Sequence, residues 1–230
     1  MKIGILQTGH APDALLPETG DYDEMFANLL SGHGFSFETY AVVDGYFPEN
    51  ATACDGWLIT GSRYGAYENH PWIAPLEALI RDIQTSGRPL IGVCFGHQII
   101  AQALGGKVEK YSGGWSVGPQ VYDINGKKMT LNAWHQDQVV QNPPGARVIG
   151  SSDFCANAAM LVGENILTIQ PHPEFDADFI AGLIDKRGRG VVPDTQLANA
   201  KSALSTPLDS DAFADMMARF LSTHSAEQTQ

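Results

Sequence analysis

The stretch Gly92-Val93-Cys94-Phe95-Gly96 sets a thiol between two glycines. It follows the apolar run RPLIGV and precedes the helical pattern FGHQIIAQALGG. A strand feeding straight into a helix must turn sharply. Its central residue then takes backbone angles, often with positive φ, that non-glycine residues resist. Glycines two positions to either side let the backbone close without collision. This is the nucleophile-elbow pattern with Cys in place of Ser. Such a turn projects the thiol from the crest of a sheet. It also sets the thiol at a helix N-terminus, where the macrodipole favours the thiolate. The N–H of Phe95 is left to face a developing oxyanion.

A thiol nucleophile needs a base. Of the seven histidines, His10, His33, His70 and His224 fall in loop or tail contexts. His97 lies on the elbow helix and reads as structural or pocket-lining, because a base must approach Cys94 from outside that helix. Two histidines have a carboxylate two positions on: His135 with Asp137 in WHQDQ, and His172 with Glu174 in QPHPEF. In an extended segment i and i+2 share a face, so either carboxylate can orient its imidazole. Pro171 and Pro173 hold the second pair extended. WHQDQ has no such lock, and the comparison favours His172. The resulting constellation is Cys94 as nucleophile, His172 as general acid and base, and Glu174 as orienting carboxylate.

The elements that must position these groups alternate. KIGILQ, SFETYAVV, ACDGWLITG and RPLIGV read as strands. DYDEMFANLL, with Asp21 or Asp23 as its cap, HPWIAPLEALIRDIQTSG and FGHQIIAQALGG read as helices. That alternation predicts an α/β fold: an open, mostly parallel sheet covered by helices on both faces. Ligands gather at the carboxyl ends of such strands, where TGSRYG and VCFGHQ lie. From Lys107 onward, KVEKY, PQVYDI, KKMTLNAWH, ARVIGSS and a hairpin AAMLV-GEN-ILTIQ predict antiparallel strands added to one edge. PHPEF leads into a helix at DADFIAGLID. The organisation expected is one domain over residues 1–185 and a helical extension over residues 186–230 packed on it. The extension begins with a basic loop, KRGRG. Two helical patterns follow, and STHSAEQTQ reads as a frayed tail.

The chain has 230 residues, 43% apolar and 17% charged, enough for one substantial core. A formal charge of −12 with scattered Lys and Arg excludes the electrostatic footprint of nucleic-acid or anionic-membrane binding. The opening apolar run is too short for a signal segment, and no stretch approaches a membrane span. Three cysteines, Cys54, Cys94 and Cys155, without paired spacing point to free thiols in a reducing, cytoplasmic setting and to no metal site.

The elbow GVCFGHQIIAQALGG with the downstream QPHPE resembles class I, triad-type glutamine amidotransferases. LITGSRYGAYE, GGWSVG and WHQDQV fall where that family has its oxyanion loop and pocket segments. The likeness is to free-standing members similar to the amidotransferase domain of GMP synthase. It implies that Cys94 attacks the γ-carboxamide of glutamine, releasing glutamate and ammonia through a γ-glutamyl thioester. It implies oxyanion donors at Gly61, Ser62 and Phe95. It implies substrate contacts from Gln98, His135, Gln136 and Asp137, with Trp115 and Ser116 as further candidates. No cofactor is implied. The oxyanion loop reads TGSRYG where the family often has Gly-Gly-Pro, so its donor is assigned only to within a residue. The last 45 residues hold no Walker-type loop, so an ammonia-accepting synthetase would be a separate chain. The alternatives are a stand-alone γ-glutamyl hydrolase or peptidase, and a regulatory module with a vestigial site.

Overall fold

The computed structural model describes residues 1–226. In chain order the strands are β1 (Lys2–Leu6), β2 (Ser36–Tyr40), β3 (Gly56–Ile59), β4 (Leu90–Val93), β5 (Lys107–Lys110), β6 (Ser116–Ile124), β7 (Lys127–His135), β8 (Asp137–Gln141), β9 (Ala146–Ser151), β10 (Ala159–Val162) and β11 (Ile166–Ile169). The α-helices are α1 (Leu16–Thr19), α2 (Tyr22–Leu29), α3 (Ile73–Ser86), α4 (Phe95–Ala103), α5 (Ala177–Leu183), α6 (Asp194–Ser202) and α7 (Ser210–Ala226).

Nine strands form one sheet in the order β2-β1-β3-β4-β11-β10-β9-β6-β7. The first five are mutually parallel. The remaining four pair antiparallel. β3, β4 and β11 are buried at every position, which is why β3 and β4 are unbroken apolar runs instead of alternating ones and β11 carries a single polar residue, Thr168, among apolar ones. Side chains alternate across the sheet. Ile3, Ile5 and Ile91 face a core completed by Phe26 of α2 and by Phe213, Met217 and Leu221 of α7. Leu6 and Ile59 face another built on Leu76, Ile80 and Ile83 of α3 and Ile99 of α4. Phe213, Met217 and Leu221 are wholly buried. At about 1.5–3 kcal/mol each, their burial rivals the net stability of a small domain. Asp21 caps α2 in a capping box with Glu24, selecting between the two cap candidates.

Three elements depart from the sequence reading. KVEKY does not join the main sheet. Its strand β5 pairs with β8 in a separate two-stranded ribbon, and β8 lies in a segment to which the sequence assigns no element. The basic run after α5 does not begin as a loop: Ile184–Gly188 is a single π-helical turn. α7 continues through Thr223 to Ala226, where the sequence reads as a frayed tail; residues 227–230 of that tail lie outside the described residues. No helix among the described residues is long and apolar enough to cross a membrane.

Candidate active site

Val93 is in parallel register with Ile169, so β4 and β11 end side by side. Cys94 N–H donates to the Ile169 carbonyl at 2.8 Å. The chain after β4 turns into α4, and the chain after β11 runs on to His172. Adjacent parallel strands thus bring the two segments together despite their separation in sequence. Cys94 has φ 53° and ψ −101°, a conformation that costs a non-glycine residue about 1–3 kcal/mol. The surroundings enforce it. A Cβ on Gly92 would sit 2.5 Å from the Gly96 carbonyl oxygen, and one on Gly96 would collide with the carbonyl of Ile59. Both glycines are therefore required by close approach. Gly96 N–H is taken by Thr60 O at 3.2 Å. That of Phe95, at the first helical position, has no intrahelical acceptor.

His172 and Cys94 are close enough to couple through charge and hydrogen bonding. Burial opposes a proton on His172, but the sulfur of Cys94 and then the Glu174 carboxylate outweigh it and raise the imidazole pKa. His172 Nδ1 meets Glu174 Oε1 at 2.7 Å, with both side chains almost fully buried. The ring stacks on Phe175 at 4.0 Å and 7°. His172 N–H donates to Asn132 O at 2.8 Å, and Asn132 Nδ2 donates to Phe175 O at 2.8 Å. Strand β7 thus clamps the proline-flanked segment on both sides of the imidazole.

Gly61 is wedged against this pair. A Cβ there would lie 3.0 Å from His172 Cε1 and 3.9 Å from Cys94 Cβ. Its carbonyl accepts from the hydroxyls of Thr8 (3.0 Å) and Thr60 (3.1 Å), both wholly buried. This turns the peptide so that its oxygen points away from the cavity. Ser62 lines the cavity, and its hydroxyl accepts from Tyr64 N–H at 3.2 Å. Gln170, also wholly buried, donates to Cys94 Sγ at 3.6 Å and accepts from Gln98 Nε2 at 3.1 Å. Thr8, Thr60, Asn132 and Gln170 are not singled out by the sequence reading. The available cue is a polar residue at the carboxyl end of an apolar strand, which Thr60 and Gln170 both are.

Cys94, His172, Gly61, Ser62, Gln98, His135, Gln136 and Asp137 all line one cavity of about 410 Å³. Gln98 Nε2 also donates to Asp137 O at 2.9 Å, and Gln136 Nε2 to Tyr111 O at 3.2 Å. His135 Nδ1 meets the backbone oxygen of Asp137 at 3.2 Å; the Asp137 carboxyl is bonded to Tyr67 instead. The WHQDQ pair is therefore not a histidine–carboxylate dyad. Trp115 lines the cavity; Ser116 lines a neighbouring one. Phe95 presents no side chain to the cavity, its ring being buried against Trp72. Glu174 is buried behind His172. Cys54, Cys94 and Cys155 are free. Burial raises the thiols of Cys54 and Cys155 above their ordinary range.

His97 is fully buried and bonded to Thr168 Oγ1 at 2.8 Å. Burial lowers His97 and His135 to about 3. An unfolded histidine takes up a proton near pH 6.5. Below that pH the unfolded state binds more protons than the folded one, so stability falls as pH drops toward 3. The expected slope is about 1.4 kcal/mol per pH unit for each histidine. Urea unfolding of His97→Asn between pH 6.5 and 4 should therefore show a slope shallower by about that amount; identical slopes contradict it.

A family model described as glutamine amidotransferase class-I matches residues 35–178. The chain is 30% identical to gamma-glutamyl peptidase 2 of Arabidopsis thaliana over 73% of each chain. It is 28% identical to a glutamine-hydrolyzing GMP synthase subunit of Saccharolobus solfataricus, over 76% of this chain and 89% of that one. Among solved structures, the glutamine amido transferase of Methylobacillus flagellatus superposes with a TM-score of 0.75 at 22% identity, covering 99% of this chain and 94% of that one. That superposition speaks to the fold.

Proposed function

The chain belongs to the class I glutamine amidotransferase family, and from that membership and the geometry of the cavity we propose that it hydrolyses γ-glutamyl amide bonds through a thioester on Cys94. One observation carries the reading. Cys94 stands on a strained strand-to-helix turn beside His172, which is itself bonded to Glu174 at 2.7 Å. That is a nucleophile, a proton carrier and an orienting group in sequence. Cys94 gives its thiol proton to His172, and Sγ attacks the γ-carbonyl carbon. Backbone N–H groups of the Gly61–Ser62 loop and of Phe95 hold the oxyanion. The C–N bond breaks as His172 hands its proton to the leaving nitrogen. A water then gives a proton to His172 and its oxygen to the acyl carbon, which releases glutamate and restores the thiol.

The leaving nitrogen belongs to ammonia if the substrate is glutamine, and to an amine if it is a γ-glutamyl peptide. We favour the peptide. The cavity extends beyond Cys94 and His172 along an apolar wall of Trp115, Trp134, Phe175, Leu183 and Val191, far more surface than ammonia can use. The similarity to a γ-glutamyl peptidase agrees with this. The similarity to a GMP synthase component supports the second reading, a glutaminase that passes ammonia to a separate synthetase chain. The test is glutamate release by the purified chain alone from glutamine and from a γ-glutamyl dipeptide. Faster release from the dipeptide is the expected result. Glutamine turnover that exceeds it overturns the preference, and release from neither overturns the reaction.

A further inference from the structure

The basic run after α5 is the one motif in the sequence that the chemistry above does not use, and the structure puts one of its side chains into the cavity. Ile184–Gly188 adopts a π-helical turn, an irregularity frequently found at functional sites. The turn is pinned. A Cβ on Gly188 would sit 2.6 Å from Leu197 and 3.3 Å from Trp134, and the Gly188 carbonyl accepts from Val192 N–H at 2.8 Å. Asp185 is tied to Lys201 of α6 at 3.3 Å. Arg187 is thereby held at the cavity wall beside Tyr22.

The chain is strongly acidic, with a net charge of −12, yet three cations line this cavity: Arg63, Lys110 and Arg187. Two are already committed. Arg63 donates to Tyr64 Oη at 2.7 Å and lies over that ring. Lys110 stands opposite Asp137 across the β5–β8 pair and acts on its carboxyl. Arg187 has no carboxylate within ion-pair distance among the described residues.

The lining divides into two groups that meet at Cys94 and His172. Gln98, Asp137, Tyr67 and Lys110 are joined by hydrogen bonds and charge on one side. On the other, Tyr22, Phe175 and Leu183 pack with Trp115 and Trp134, and Arg187 adjoins them. A γ-glutamyl head with its α-amino and α-carboxylate groups fits the polar side. The leaving amine then extends over the aromatic side toward Arg187. We propose that Arg187 binds a carboxylate on the leaving amine, so that the preferred substrate is a γ-glutamyl amino acid or peptide with an apolar side chain and a free C-terminus. This rests on the γ-glutamyl reading above and deepens it. The guanidinium suits a carboxylate because it donates a planar fork of N–H groups.

The experiment compares γ-glutamyl-phenylalanine with γ-glutamyl-phenylalaninamide. The wild-type protein should prefer the free acid by about 10- to 100-fold in kcat/KM, the range for a hydrogen-bonded charge pair. In Arg187→Gln the acid-to-amide ratio should fall to about one, and Arg187→Lys should retain part of it. Equal use of acid and amide by the wild type, or a preference that survives in Arg187→Gln, overturns the proposal. Binding of the same two compounds to Cys94→Ala and to Cys94→Ala/Arg187→Gln decides the matter without turnover. Absence of hydrolysis with the Arg187-dependent binding preference intact would reject the reaction and keep the subsite. Hydrolysis without the preference would reject the subsite alone.

Discussion

Cys94→Ala is expected to reduce glutamate release from any γ-glutamyl substrate by about 10,000-fold or more, because no second nucleophile stands on the elbow. The change removes only Sγ, which accepts from Gln170 at 3.6 Å and couples to His172, and His172 keeps its Glu174 partner and its Phe175 stack. The strained backbone angles remain, since alanine also has a Cβ. Stability should therefore stay within about 1 kcal/mol of the parent. The pair of measurements is kcat/KM by glutamate release and unfolding by urea. A variant that keeps a tenth of its activity would show that Cys94 is not the attacking group. Should the alanine variant fail to fold, Cys94→Ser is the companion, since it keeps the shape of the side chain while weakening the nucleophile.

The second large effect concerns Glu174. Its Oε1 lies 2.7 Å from His172 Nδ1, in a site where both side chains are nearly inaccessible to water. In the proposed reaction the carboxylate fixes the tautomer, leaving Nε2 to serve Cys94, and stabilises the imidazolium that forms when the thiol ionises. Glu174→Gln keeps the volume and removes the charge. The amide can still donate or accept one hydrogen bond, but it no longer favours the protonated ring. A fall in kcat of about 1,000- to 10,000-fold is expected, with KM changed far less, because Glu174 does not line the cavity. A loss below tenfold would mean that orientation comes from the Phe175 stack and the Asn132 clamp alone.

The parts of this site that can be read from sequence are those whose geometry is local. The elbow declares itself because Gly92 and Gly96 are needed within one turn of Cys94. The His172–Glu174 pair does so because Pro171 and Pro173 fix an extended segment in which alternate residues face the same way. The parallel half of the sheet is legible for a similar reason where β3 and β4 are buried on both faces and written as unbroken apolar runs; β11 reads only as half of an antiparallel hairpin, and its parallel pairing with β4 depends on a partner distant in sequence. What stays hidden depends on partners distant in sequence. Nothing in the neighbourhood of Thr8 says that its hydroxyl will hold the Gly61 carbonyl, and Gln170 meets Cys94 only because β11 lies beside β4. β8 escapes the sequence reading because DQVVQ is short and split between polar and apolar residues, and it becomes a strand only by pairing with β5. The π-helical turn at Ile184–Gly188 has no periodic signature. Packing of Gly188 against Leu197 and Trp134 holds it in place.

The most direct test of the central claim is to look for the acyl group on the sulfur. A γ-glutamyl substrate is mixed with the protein, quenched in acid during turnover, and the protein is digested and its peptides weighed. The expected result is a γ-glutamyl adduct on the peptide that contains Cys94, discharged by hydroxylamine and absent from the peptides of Cys54 and Cys155. Steady hydrolysis with no adduct at any quench time, together with undiminished activity after Cys94 has been alkylated, would contradict a covalent route through this thiol.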